Sequence, residues 1–370
     1  MAKLDTSWLR DLGNPHWVDV LPAGEFLGLA DKTILHSGPP IEFARMCRGH
    51  RRSMVNACFF EGWAKTEAEA LKLLETGAVR CEAAYDYATD GSGYGIITKS
   101  VPLLVVEDRD YGSRAGLFPS EGRFGGGFTG WGVYSEEIAA NLRWIGTTLF
   151  AELVSVLKDI GGFPLRDLFA EARRMGDELH SSQKAIDPLF TRAIIPYCLK
   201  CKNAADLLGY FATADRFTHN FGQASSRALV LGLEKAGKRG FLTAAGGNGV
   251  EYGVKFAGSD AWHVAPSPMI EGPYLTPGAK RENQLPWIGD SSITECRGWG
   301  GQIRAVNPAF EIRREGAPET EEGRREGAPE TFAARPRAAE GMVINGGMMD
   351  VNGGWMGAGS TCMPEECFAC

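Results

Sequence analysis

The chain has 370 residues, with 46 acidic against 39 basic side chains, for a net charge of −7. Its length suggests two or three domains, and its 44% apolar and 23% charged residues suit a globular protein with a substantial core. The acidic balance argues against a nucleic-acid binder. No apolar run reaches the roughly 18 to 20 residues of a membrane helix. The charges at Asp5, Arg10, Asp11, Asp19 and Glu25 speak against a signal peptide, so a cytoplasmic protein is expected.

Residues 1–134 read as a mixed α/β domain. Thr66-Glu67-Ala68-Glu69 is a capping box that opens a helix stopped by Gly77. Val101 to Val106 is an apolar run of strand length, with Pro102 at its start or on an edge. A glycine-rich loop follows at Gly122–Gly132. Residues 135–237 read as a helical bundle. Ile138, Leu142, Ile145, Leu149, Leu153 and Leu157 recur on one helix face behind the N-cap Ser135. A second helix starts at Pro164, and others are expected over 185–195, 203–213 and 217–236.

Residues 238–370 return to α+β character. Gly246-Gly247-Asn248-Gly249 is a turn signal, and Val254–Phe256 and Trp262–Val264 read as strands. The octapeptide Arg313–Thr320 recurs as Arg324–Thr331. Its charged segment, about 311–340, reads as a linker or insertion that buries too little to order itself. The nine cysteines read as reduced thiols. Cys198 and Cys201 form a CxxC with no second pair nearby to complete a zinc site.

Three constellations carry chemistry. Arg45, Arg48, Arg51 and Arg52 with His50 make a local positive field suited to carboxylate or phosphate. His36 lies just upstream in His36-Ser37-Gly38-Pro39-Pro40. Gly176-Asp177-Glu178-Leu179-His180 would put Asp177 and His180 one turn apart on a helix, as a general base and its orienting carboxylate. His219 offers a complement from another helix, preceded by Asp215. Gly289-Asp290-Ser291-Ser292-Ile293-Thr294-Glu295 alternates glycines, hydroxyls and carboxylates and could expose amides to an oxyanion. Asn248-Gly249-Val250-Glu251 is of the same kind. No Walker lysine follows, so no nucleotide cofactor is expected. The 48 glycines concentrate in such loops, which suggests a site built partly from main-chain amides.

These stretches resemble the YahG/YlbE-like family, long classed as a domain of unknown function. Gly176–His180 resembles its GDE-x-H motif, Asn248–Gly253 its NGT-D/E-F/Y-G turn, Met269-Ile270-Glu271-Gly272 its VEG and Gly289–Glu295 its GDSAITE signature. His36–Ile41, Met46-Cys47 and Phe60–Ala64 resemble its N-terminal blocks. The resemblance runs from about Trp17 to Pro308 and resumes at Gly341–Phe368. Where the family often carries a His-His pair, this chain has Tyr85-Asp86-Tyr87.

The resemblance implies an α+β fold, with an orthogonal helical bundle between mixed α/β N- and C-terminal domains. One branch of the family is a subunit of oxamate carbamoyltransferase in anaerobic allantoin breakdown, which interconverts oxalurate and phosphate with oxamate and carbamoyl phosphate. The expectation is therefore an enzyme or enzyme subunit acting on a small anionic carbamoyl or amide compound. A hydrolase of an amide or nitrogen heterocycle, and a non-catalytic ligand-binding scaffold, are the alternatives. Asp177, Glu178, His180 and Glu295 are the candidate catalytic residues. His36, Arg48, Arg51, Asn248, Glu251, Glu271, Asp290, Ser291 and Thr294 are the candidates for binding substrate. A divalent metal stays open as a cofactor, and partner subunits and a homo-oligomer are expected.

Overall fold

The apolar run at 101–106 becomes the strand Pro102–Asp108, whose Leu103, Leu104, Val105 and Val106 are fully buried. A strand reads as continuously apolar when both of its faces are covered. In this computed structural model, which describes residues 5–119, 121, 127–214, 216–304 and 342–369, that strand sits inside a four-stranded antiparallel sheet. Ser113–Leu117 pairs on one side, and Pro15–Pro22 then Phe163–Pro164 on the other. The octapeptide repeat, Asp215 and residues 122–126 of the glycine-rich loop lie outside the described residues.

A second antiparallel sheet runs in the order Ile288–Gly289, Leu242–Asn248, Glu251–Phe256, His263–Pro266. Here the sequence reading needs correcting, because Gly246 and Gly247 are in the strand and the turn falls on Gly249-Val250. Close packing explains the glycines. A Cβ on Gly246 would stand 2.1 Å from Asp290 Oδ1, and one on Gly247 2.6 Å from the Trp287 carbonyl. Two smaller pairs complete the strands. Thr33–His36 pairs in parallel with Arg80–Ala83, and Val343–Met349 forms a C-terminal hairpin with Trp355–Cys362.

The capping box forms as read, with Glu69 N–H donating to Thr66 Oγ1 at 3.3 Å. The apolar stripe at 138–157 forms two helices, Glu136–Trp144 and Phe150–Asp159, joined by a π-type wide turn at Ile145–Leu149. Arg166–Arg174, Ile186–Cys198, Ala204–Thr213 and His219–Lys235 follow. Cys198 closes its helix and Cys201 lies in the next turn. Both are free thiols, and burial pushes the Cys198 thiol up to about 12.

One core joins the first sheet to the helices. Trp17 packs against Phe150, Phe190, Phe217 and Phe221. A second core lies under the second sheet around Tyr252, Trp287, Ile293 and Met348. The helix His219–Lys235 touches both sheets, and it buries polar Gln223, Ser225, Ser226 and Arg227 as well as apolar side chains. The C-terminal hairpin contributes Met349 to the first core and Ile344, Met348 and Met356 to the second. Among the described residues no helix is long and apolar enough to cross a membrane.

Candidate functional site

Gly176–His180 is a loop after the helix Arg166–Arg174, not the helix that its spacing suggested. Positive φ at Gly176 (101°) and Leu179 breaks a helix here, and the two carboxylates bond backbone amides further along instead. Asp177 Oδ2 accepts N–H bonds from Ala185 and Ile186, both at 2.8 Å, and so caps the start of the helix Ile186–Cys198. Glu178 Oε1 accepts from the amides of Ser181, at 2.6 Å, and Ser182. Leu179 is held at φ 66°, a left-handed conformation that a leucine rarely adopts.

Asp177 is therefore not the partner of His180. That partner is Glu295, which lies 115 residues away, on the short helix Ile293–Cys296. Nδ1 of His180 stands 2.7 Å from Glu295 Oε1, with the residues 3% and 0% exposed. With Nδ1–H donated to the carboxylate, Nε2 is the ring nitrogen left for a proton transfer. Glu295 is itself held by N–H donors at Asn345 (3.0 Å) and Gly301 (3.2 Å) and by the Thr294 hydroxyl (3.0 Å). A Cβ on Gly300 would stand 2.2 Å from Glu295 Oε1, so glycine at 300 lets the chain close over the pair. Asn345 reaches Glu178 Oε2 at 3.3 Å and accepts from Ser360 at 2.6 Å. Glu178, His180, Thr294 and Glu295 thus form one buried network.

His219, the first residue of the helix His219–Lys235, stacks on His180 with ring centroids 5.5 Å apart and planes 17° from parallel. The residue is half-buried, yet its Nδ1 is enclosed without a partner. Burial, the His180 ring and the charge of Arg216 hold it well below the ordinary imidazole range. One turn along the same helix, Gln223 donates to Ser92 and leaves its Oε1 enclosed and unpartnered.

A second buried group adjoins the first. Asp290 accepts N–H bonds from Gly38 (2.7 Å) and Gly91 (2.9 Å). Asn248 donates to the Pro39 carbonyl at 3.0 Å, and its Oδ1 accepts from Val250 and Glu251. His50 reaches the carbonyls of Asn248 and Tyr94 with its two ring nitrogens. His36 stacks edge-on against His50 at 5.6 Å, and its Nε2 is enclosed without a partner. Arg227 donates to the carbonyls of Thr243, Tyr85 and Tyr87. Nearby Asp90 has both carboxylate oxygens enclosed and unpartnered, and burial lifts it to about 8.

The exposed candidates do not join either group. Arg48 is exposed and Arg51 lies 4.0 Å from Glu75. Glu251 pairs with Arg45, and Glu271 pairs with Arg281 at 2.7 Å, at the surface. Long charged side chains on outer faces stay hydrated and pair locally. Ser291 is half-buried beside Asp290. Among the described residues no group of three or more His, Cys, Asp or Glu side chains is placed to hold a metal ion. Sequence reasoning missed Asn345, Asp90 and Arg227. The one available signal was polarity out of place, since Asn345 interrupts the apolar stretch Met342–Met349.

The molecule is thus an α+β protein with a buried histidine–carboxylate centre where its two cores meet. Residues 79–291 match the family model for oxamate carbamoyltransferase subunit AllG. The chain is 32% identical over 302 residues to the oxamate carbamoyltransferase subunit AllG of Escherichia coli K12, covering 80% of this chain and 71% of that one. It is 29% identical over 304 residues to the uncharacterized protein YahG of the same organism, covering 81% of this chain and 63% of that one. A crystal structure of a conserved protein of unknown function from Enterococcus faecalis V583 superposes with a TM-score of 0.81 at 22% identity, over 98% of this chain and 94% of that one. This last likeness concerns the fold alone. The chain belongs to the AllG family.

Proposed function

We propose that the chain is an enzyme subunit acting on a small anionic carbamoyl compound, in a reaction of the oxamate carbamoyltransferase type. The observation that carries this reading is the buried His180–Glu295 pair, with His219 stacked on it. Membership of the AllG family supports the reaction type.

In that reaction a phosphate oxygen attacks the ureido carbonyl carbon of oxalurate. The C–N bond to the oxamate nitrogen then breaks. The proton lost by the phosphate ends on the departing nitrogen, so one group that accepts and returns a proton serves both halves. His180 fits that part, because Glu295 fixes the ring and stabilises the imidazolium formed in passing. Glu178 and Asn345 brace the wall beside it. Partner subunits complete the assembly in this reading.

The test is carbamoyl phosphate formation from oxalurate and phosphate, by the purified chain alone and with co-expressed partner subunits. Phosphate-dependent turnover in either setting is expected. Oxalurate consumption without phosphate would replace the transferase with a hydrolase. No turnover in either setting would remove the reaction altogether.

A further inference from the structure

We propose that Arg216, not the Arg45–Arg52 cluster, takes the anionic end of the ligand at the histidine centre. This rests on the reading of His180 as the reaction site. Three observations carry it.

The first is backbone strain. Among the described residues only Lys32, Leu179 and Arg216 are non-glycine residues at positive φ, Arg216 at 62°. Two of the three lie next to the stacked histidines in sequence, Leu179 one residue before His180 and Arg216 three before His219. Such conformations persist where the surroundings enforce them, and they gather at functional sites.

The second is the missing counter-ion. Among the described residues no carboxylate pairs with Arg216. Arg45 and Arg51 of the cluster face Glu251 and Glu75, Arg52 is bound to the Asn352 carbonyl, and Arg48, which no described carboxylate pairs, is exposed to solvent. The Arg216 charge instead acts on His219, which burial keeps neutral. An anion seated between them would supply the balance that no described side chain gives.

The third is a fixed orientation. The guanidinium lies over the Trp355 ring, 5.4 Å from its centroid, which holds a planar fork in one plane. Trp355 packs over Gly347, where a Cβ would come within 3.2 Å of its Nε1. Asn345 is two residues from Gly347 on the same strand and so shares its face. Arg216 and Trp355 therefore lie on the side of the hairpin that carries the Asn345 side chain, whose amide reaches Glu178, while the main-chain N–H of Asn345 bonds Glu295. The chemistry fits a small oxyanion, either the carboxylate of an oxamate-like compound or phosphate.

The test is calorimetric titration of the full chain with inorganic phosphate and, separately, with oxamate. Arg216→Asn is the main variant, because asparagine tolerates the left-handed backbone and so leaves the fold intact. Its melting curve should stay near that of the wild type, while affinity for at least one probe falls by about tenfold or more. The probe that loses affinity identifies the anion. Arg216→Lys keeps the charge without the fork, so a carboxylate should lose more than a phosphate. The double variant Arg48→Gln/Arg51→Gln should bind as the wild type does. Wild-type protein that binds neither probe, or unchanged binding by Arg216→Asn, would overturn the assignment. Binding is read without turnover, so arginine-dependent binding in a protein with no carbamoyl transfer would keep this inference and sink the proposed reaction. Normal transfer by Arg216→Asn would do the reverse.

Discussion

Replacing Glu295 by glutamine tests the centre most directly, because the shape stays and the charge goes. Glu295 Oε1 receives His180 Nδ1 at 2.7 Å, Asn345 N at 3.0 Å and Gly301 N at 3.2 Å. A glutamine can turn its oxygen to these three donors and its NH2 toward the Thr294 hydroxyl, which can accept. None of the three donors to the oxygen is then stranded, and one new amide hydrogen is left without a named partner. Each bond becomes neutral and weakens by roughly 1 kcal/mol, while a buried charge no longer has to be desolvated. The net change in stability should stay within about 2 kcal/mol. Turnover should suffer more, since the imidazolium loses its counter-charge as it forms. A charge-assisted bond of about 1.5 to 3 kcal/mol corresponds to roughly a 10- to 150-fold fall in kcat. The assay is phosphate-dependent carbamoyl transfer in the assembled enzyme, with urea unfolding in parallel. A correctly folded Glu295→Gln enzyme within about threefold of wild-type kcat would refute His180 as the proton carrier.

Three further variants separate structure from chemistry. Asp177→Ala strands the amides of Ala185 and Ile186, so urea unfolding should show a loss of about 2 to 4 kcal/mol, while kcat well below the melting transition stays near wild type. Gly38→Ala would place a Cβ 2.5 Å from both Asn248 N and the Gly247 carbonyl carbon at φ +78°. Backbone cannot yield as a side chain can, so about 2 to 5 kcal/mol should be lost, visible as poor soluble yield or an early melt. Asp90 is raised by burial from 3.8 to about 8, so the folded state holds a proton that the unfolded state releases. Its cost to stability is absent below about pH 4 and grows as the pH rises, by at most about 1.4 kcal/mol per unit, until it levels off above pH 8. Asp90→Asn cannot titrate, so its stability relative to wild type should rise between pH 5 and pH 8 in urea titrations, and parallel curves would count against the raised value.

Periodicity made the helices legible, because each buries an apolar stripe that the chain repeats every three or four residues. The stripe at 138–157 also shows the limit, since periodicity alone does not reveal the wide turn at Ile145–Leu149 that resets its register. Residue types picked out His180 and Glu295 as candidates, yet their pairing was hidden. Local spacing pointed to Asp177 as the partner of His180, whereas Asp177 and Glu178 spend their oxygens on backbone amides nearby. The arginine cluster lies apart from the buried centre, and its place was hidden for a related reason. Charge density along a sequence says nothing of burial, and Arg48 and Arg51 fall on an outer face. Glycines were informative about place but ambiguous about cause. Gly246 and Gly247 look like a turn in one dimension and serve close packing against Asp290 and Trp287 in three.

Burial of the His180 pair bears on the kind of chemistry that it can support. His180 is 3% exposed and Glu295 is not exposed at all, whereas His219 and Arg216 are half-buried. In the proposed reaction a ligand would reach His180 from the side of His219 and Arg216, and once seated it would cover that side. A hydrolase needs water at its reacting carbon. A transferase to phosphate must keep water away, because water far outnumbers phosphate and would take the carbamoyl group first. In the proposed reaction, closing that side with the reactant itself would achieve this without a separate lid. The same closure strengthens every charge interaction inside, and those of Glu295 with the imidazolium would gain most. Enclosure of His180 and the lesser burial of His219 are thus two parts of one arrangement, and the helix His219–Lys235, packed against the two sheets, sets the place of His219 in it.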